Sequence, residues 1–260
     1  MGMNYAEYLK IEQLLDLQKP HSDPPEHDET LFIIIHQVYE LWFKLMLHEF
    51  GRICACMRGR DLFGAIAGFQ RVRSVMKTLV GQLDILETMT PMSFSAFRDR
   101  LESASGFQSS QFREFEFMLG HKRSSVMEQF PEGSPQRATL EHRLREPSLV
   151  DAFHAFLAGE GVTLPEEVRA RDVTLPTAAN QVVQDAVLEL YVRRPEVGIL
   201  MELMTDFDEG LQEWRYRHVK MVERTIGNKR GTGGSMGVEF LKKTLFKPIF
   251  PDLWAVRHRF

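Results

Sequence analysis

The chain has 260 residues and a formal net charge of −4, from 32 Lys and Arg against 36 Asp and Glu, which argues against a general nucleic-acid binder and leaves length enough for a real core. Its two cysteines, Cys54 and Cys56, stand one residue apart in a helical stretch, so neither a disulfide framework nor a thiolate zinc site is expected, and a reducing, cytoplasmic setting is. No secretory signal is read at the N-terminus, and the most hydrophobic segment, 31–50, is interrupted by His36, Gln37, Glu40, Lys44, His48 and Glu49, short of the apolar run a membrane span needs.

Apolar residues recur at three- and four-residue spacing in nearly every segment and almost nowhere alternate with period two, so the chain reads as all-α. A short helix is expected over 5–17, then a proline-broken loop over 19–25. Asp28 is a candidate N-cap region for a helix carrying 32–58. A third long helix covers about 62–87, and Pro91 opens another through 101. Ser103, Ala104, Ser105 and Gly106 mark a break, after which 107–119 resumes helical spacing. Over 131–195 the pattern weakens into shorter helices (136–145, 149–158, 180–191), which reads as a subsidiary helical lobe within one domain of 1–260. The strongest helix spans 198–227, with Leu200, Leu203, Met204, Phe207, Leu211, Trp214, His218, Met221 and Val222 on one face. Gly227-Asn228 is its expected left-handed stop.

Eleven residues beyond His218 comes the run Lys229-Arg230-Gly231-Thr232-Gly233-Gly234-Ser235. It is no P-loop, which needs Gly-Lys-Ser/Thr after its four variable residues. Nor is it a dinucleotide fingerprint, since Met236 stands where the third glycine belongs and a helix rather than a strand precedes it. His218 on an apolar stripe reads, from the residues alone, as a core histidine satisfied by a carbonyl; the sharper reading is an axial haem ligand on a rigid helix. His36 lies one turn after Phe32 and shares a face with Tyr39, Phe43 and Met46, the composition of an apolar pocket wall with one polar group. His36 and Glu40 have metal-pair spacing, but no third ligand accompanies them. Arg98, flanked by aromatics, is either a surface arginine paired with Asp99 or Glu102 or a fork for a substrate carboxylate. Thr232 either stabilises its turn or binds a ligand's polar end.

Together these stretches resemble the tryptophan 2,3-dioxygenase family. Leu31-Phe32-Ile33-Ile34-Ile35-His36-Gln37 with Glu40-Leu41-Trp42 looks like its distal-pocket motif. Phe97-Arg98-Asp99 with Ser105-Gly106-Phe107-Gln108-Ser109 looks like its substrate-carboxylate segment. Trp214-Arg215-Tyr216-Arg217-His218 and the glycine run look like its proximal helix and closing loop. The resemblance runs from Tyr5 to about Val256 and is loosest over 131–195.

What the resemblance implies is an all-α, bundle-like enzyme holding one haem b (iron protoporphyrin IX) per subunit, which inserts both atoms of O2 across the indole C2–C3 bond of L-tryptophan. The product is N-formylkynurenine, made in the first step of the kynurenine route. His218 is then the axial iron ligand with Trp214 behind it, and His36 faces the indole N–H. Phe32 packs on the ring, Arg98 clamps the carboxylate, and Thr232 contacts the ammonium. Ser105, Gly106 and Phe94 complete the substrate side. Some members carry tyrosine at the Phe94 position, so the clamp here lacks one hydroxyl contact, worth roughly 0.5–1.5 kcal/mol. The resemblance also implies a homotetramer of paired dimers in which Tyr5, Tyr8 and Leu9 reach a neighbouring subunit's pocket, with neither nucleic acid nor membrane as partner. Mono-oxygenation of a tryptophan-like indole, a haem protein without turnover, and a purely structural helical protein stay open as alternatives.

Overall fold

The computed structural model describes residues 2–227, 229 and 237–260, and among them every regular element is helical. In chain order the α-helices are α1 (Tyr5–Leu9), α2 (Ile11–Leu15), α3 (His27–Arg58), α4 (Leu62–Leu86), α5 (Pro91–Arg98), α6 (Ser110–Met118), α7 (Pro135–Arg145), α8 (Leu149–Gly159), α9 (Glu166–Arg169), α10 (Gln181–Arg193), α11 (Pro195–Ile226), α12 (Val238–Lys242) and α13 (Pro251–Ala255). Short 3-10 turns cover Asp99–Leu101, Gly106–Gln108, Ser124–Gln129 and Val256–Arg259.

Three long helices make the frame, with α4 lying against both α3 and α11 and α8 packed on α3. Ile35, Tyr39, Phe43, Met46, Phe50, Ile53 and Met57 of α3 are buried at steps of three and four, so one stripe faces inward. Leu200, Met204, Phe207, Leu211 and Trp214 do the same for α11. Phe50 meets Phe69 of α4, Phe115 of α6 and Phe207 of α11 at centroid distances of 6.4, 5.9 and 5.1 Å. Each such buried ring contributes roughly 1.5–3 kcal/mol. α3 and α4 approach closely at Gly68, where a Cβ would stand 2.4 Å from Ile53 Cγ1. α3 is long and apolar enough to cross a membrane, yet its stripe is spent on this core.

Local caps set most helix starts. Asp61 accepts from Gly64 N (2.8 Å), Thr90 from Ser93 N (3.0 Å), Ser134 from Arg137 N (3.2 Å) and Asn180 from Val182 N (2.9 Å), while Ser148 and Asp151 form a reciprocal capping box. Each satisfies a donor that the first turn leaves bare. The expected helices at 62, 91, 136, 149 and 180 therefore begin within one residue of where they were placed.

Three expectations are corrected and a fourth is refined. The helix over 5–17 is two short helices, because Lys10 takes a left-handed conformation (φ 56°, ψ 41°) that closes α1 and opens α2; with no residue of either helix buried, no core holds one continuous helix together. Asp28 is not the N-cap of α3. The helix begins at His27, with Glu26 at the cap position, and Glu29 instead turns back to accept from His21 N (2.7 Å), Ser22 N (3.0 Å) and the Ser22 hydroxyl. Gly227 ends α11 as expected, but at φ 57°, ψ −135° rather than in the left-handed helical region. Much of 131–195 is continuous with the main body: Phe153, Phe156, Val183, Val187 and Leu190 belong to the principal core. Only α7 has a small core of its own, where Leu140 meets Phe117, Val126 and Phe130. Glycine and proline shorten these helices without detaching them.

The C-terminal segment is pinned by a buried carboxylate. Asp208, fully buried on α11, accepts from Ile249 N (2.8 Å), Phe250 N (3.1 Å) and Trp254 Nε1 (3.0 Å). This brings residues 237–244 over one end of α11.

Candidate active site

A cavity of about 260 Å³ opens among α3, α5, α6, α11, α12 and the turn at Gly106–Gln108. Phe32, His36, Phe94, Arg98, Ser105, Gly106, Trp214 and His218 all line it. Residues from four separate stretches of sequence thus converge on one space, mostly apolar with a few polar groups, the composition of a small-molecule site. Thr232 lies outside the described residues. Tyr5, Tyr8 and Leu9 are not among the lining residues; they project from α1, with Tyr5 75% and Tyr8 72% exposed.

α3 supplies the first wall. Phe32 and His36, one turn apart, have ring centroids 4.1 Å apart. Phe94 and Phe97 of α5 stand 5.8 and 5.5 Å from Phe32 and 5.4 Å from each other, an aromatic corner that fixes the Phe32 ring. His36 Nδ1 lies 2.7 Å from Phe32 O. A carbonyl can only accept, so Nδ1 carries the proton and Nε2 keeps its lone pair. Burial lowers the imidazole pKa, against the Phe32 carbonyl and Glu40, which raise it. The ring is therefore neutral near pH 7, with a basic nitrogen to offer.

α11 supplies the opposite chemistry. The His218 ring is stacked on Trp214, with centroids 5.2 Å apart and planes 4° apart; Trp214 is wedged between Phe112 (5.4 Å) and Tyr39 (6.1 Å). Tyr39 is fixed in turn by donating to Leu79 O at 2.8 Å. His218 makes no hydrogen bond to another described residue. Its pKa is pushed down to about 4 by burial, with His36 and Arg113 opposing a second charge. The result is a neutral imidazole with, among the described residues, packing as its support.

Beneath the cavity a buried charge cluster appears that the sequence does not advertise. Arg113, Arg123 and Arg215 converge on Glu116, whose carboxylate is held at about 2: burial raises it, but the guanidinium groups of Arg113, Arg215 and Arg123 overcome this. Three cations face one anion, and Arg113, Glu116 and Arg215 line the cavity. Among the described residues Arg113 Nε is a buried donor without a partner, while Trp214 Nε1 faces the Tyr39 hydroxyl. Arg215 turns inward, while Arg217, two residues on, is taken up by Asp84 (2.6 Å) and Glu87 (3.2 Å). Spacing held a clue to the cluster, since Arg113 and Glu116 sit at i, i+3 among Phe112, Phe115 and Phe117, where charge on an apolar stripe calls for a buried partner.

Among the described residues no group of three His, Cys, Asp or Glu can hold a metal ion. Glu40 accepts from Gln111 Nε2 at 2.8 Å. The apolar walls and the surplus positive charge suit an apolar ligand bearing acid groups.

The family model described as "Tryptophan 2,3-dioxygenase" matches residues 1–161 and 177–259. The chain is 53% identical over 256 residues to a tryptophan 2,3-dioxygenase of Herpetosiphon aurantiacus, covering 98% of each. It is 47% identical to that of Anaeromyxobacter sp. (strain K), covering 98% of this chain and 96% of the relative, and 41% identical to that of Serratia proteamaculans, covering 98% and 92%. With this cavity at its centre and likeness along nearly its whole length, the chain belongs to the tryptophan 2,3-dioxygenase family.

Proposed function

We propose that the cavity is where this oxidoreductase joins both atoms of O2 to the C2 and C3 positions of the L-tryptophan indole, breaking the bond between them to give N-formylkynurenine, the opening step of tryptophan breakdown by the kynurenine route. The observation that carries the reading is the convergence, on one cavity, of a stacked His218, a His36 whose Nδ1 is pinned, and Arg98.

His218, with Trp214 stacked against its imidazole, would hold haem b through a ring nitrogen, one group per chain, and Arg113 and Arg215 of the cavity lining would offer their charge to its acid groups. When bound, ferrous haem supplies the O2 activation that a closed-shell indole lacks. The remaining work belongs to the chain. Phe32, braced by Phe94 and Phe97, forms the dry aromatic slot for the indole. His36 Nε2, the nitrogen left bare by the Nδ1 bond, accepts from the indole N–H and orients the ring. Arg98 binds the carboxylate as a planar fork, and Ser105, Gly106 and Thr232 close around the polar end, Thr232 toward the ammonium. Phe94 adds packing but no hydroxyl.

The exposed apolar residues of α1 and α2 support a second copy as the cover for the site: Tyr5, Tyr8 and Leu9 are left without burial in their own chain, as an arm reaching a neighbour in a cytoplasmic homotetramer would be. The test of the reaction uses 18O2 with reduced, haem-loaded protein and L-tryptophan. A product heavier by two labelled oxygens is expected; one labelled oxygen, or no product, overturns the reading. The test of the arm is the size in solution of a chain lacking residues 2–15, which should fall below that of the full chain.

A further inference from the structure

We propose that Phe240 is a positioning residue for the substrate-facing segment at 105–107, acting through Phe107 rather than through the reacting atoms. The proposal rests on the reading of the cavity given above.

The backbone bonds of the turn itself are local, Gln108 N to Ser105 O at 2.9 Å and Ser109 N to Gly106 O at 3.2 Å. Glu102 sits at φ 49°, and the turn Gly106–Gln108 is three residues long. Its caps are long bonds, Phe107 N to Ser105 Oγ at 3.4 Å and Ser105 N to Gln108 Oε1 at 3.3 Å. Such a turn does not fix a binding surface by itself. Phe107 supplies the missing constraint: its ring meets Phe240 of α12 edge-on, with centroids 5.2 Å apart and planes at 74°. This is the preferred aromatic geometry, made between residues 133 positions apart in the chain.

The pair is bracketed. The Arg113 guanidinium lies 5.8 Å from the Phe107 centroid and that of Arg123 lies 6.0 Å from the Phe240 centroid. Both guanidiniums are tied to Glu116, Arg123 at 2.9 and 2.8 Å to its two oxygens. Phe240 is held from below as well, because Arg215 donates to Thr244 O at 3.2 Å and Asp208 pins the chain at 249–250. Helix α11, the buried cluster and α12 therefore converge on one ring, and that ring sets where Ser105 and Gly106 stand. Removing the ring frees the turn while leaving Phe32, His36, Arg98 and His218 in place.

Amide exchange at 105–108 and steady-state kinetics test the idea together. In Phe240→Leu those amides should exchange faster and the KM for L-tryptophan should rise about fivefold, with kcat within about twofold and the haem-to-protein ratio unchanged, in keeping with the loss of one edge-to-face pair. Phe240→Tyr, which keeps the ring, should restore both. Phe107→Leu should copy Phe240→Leu, and the double variant should be no worse than either. Unchanged exchange and KM in Phe240→Leu, additive effects in the double variant, or a KM in Phe240→Tyr as high as in Phe240→Leu would overturn the proposal. If Phe240→Leu does not fold, Phe107→Leu against Phe107→Tyr gives the same comparison. Failure of the cavity reading shows separately, as an Arg98→Ala chain whose KM does not move.

Discussion

Helices α3 and α11 each present one histidine to the cavity, and the two are held in different ways. His36 is fixed by a hydrogen bond within its own helix, from Nδ1 to Phe32 O, which decides which nitrogen is protonated and leaves the other as an acceptor. His218 has no such bond to a described residue and has a ring stacked on it with planes 4° apart. The bond at His36 fixes which nitrogen stays bare, whereas at His218 no bond to a described residue fixes the tautomer, and stacking sets only the plane of the ring. Two neutral histidines on two apolar walls thus divide the work through their supports.

The largest effect expected from this difference concerns haem. His218→Ala should lower the haem-to-protein ratio of the purified chain at least about tenfold, as loss of the one protein ligand to a metal implies, while His36→Ala retains it; equal losses in the Soret band would erase the distinction. Next comes Arg98→Ala. Truncating one member of a charge-assisted pair costs about 2–5 kcal/mol, so the KM for L-tryptophan should rise by about two orders of magnitude, with Arg98→Lys recovering part.

Acid unfolding comes third. Glu116 is held at about 2 in the folded chain against 4.5, so its stabilisation is fully present above about pH 4.5 and is lost as pH falls from there toward 2, on the order of 3 kcal/mol in all. Glu116→Gln should abolish that part of the pH dependence and lower stability at pH 7, since three arginines then lack their counter-charge. Denaturant midpoints between pH 2 and 7 would show it.

The smallest effect belongs to His36. His36→Ala should cost roughly tenfold in kcat/KM, one hydrogen bond's worth. It should also remove an acid limb lying below the ordinary histidine value, since burial lowers the His36 pKa and protonation of Nε2 ends its role as acceptor. A limb that persists in the variant would assign it to another group.

Much of this was legible in the chain, for a physical reason. Helical periodicity is local, so α4, α5, α8 and α10 could be placed from their apolar stripes and, for α5, from Pro91 at its start. His36, Arg98 and His218 stood out because each departs from an apolar pattern. What could not be read depends on distant parts meeting. Arg113, Arg123 and Arg215 look like solvated charges until α6 and α11 bury them around Glu116. Phe107 and Phe240 are ordinary phenylalanines until the chain brings their rings to 5.2 Å. Lys10 broke the first helix because its neighbours had no core to answer to.

In the proposed assembly of several copies, that last feature reaches beyond one chain. Helices α1 and α2 bury none of their own residues, so substitutions at Tyr5, Tyr8 or Leu9 should leave the chain's own folding nearly untouched while damaging a pocket elsewhere. Completing a site then becomes a matter of mass action: specific activity should fall on dilution and recover on concentration. Two crippled chains, one lacking residues 2–15 and the other carrying Arg98→Ala, should complement each other when assembled together, each supplying what the other has lost.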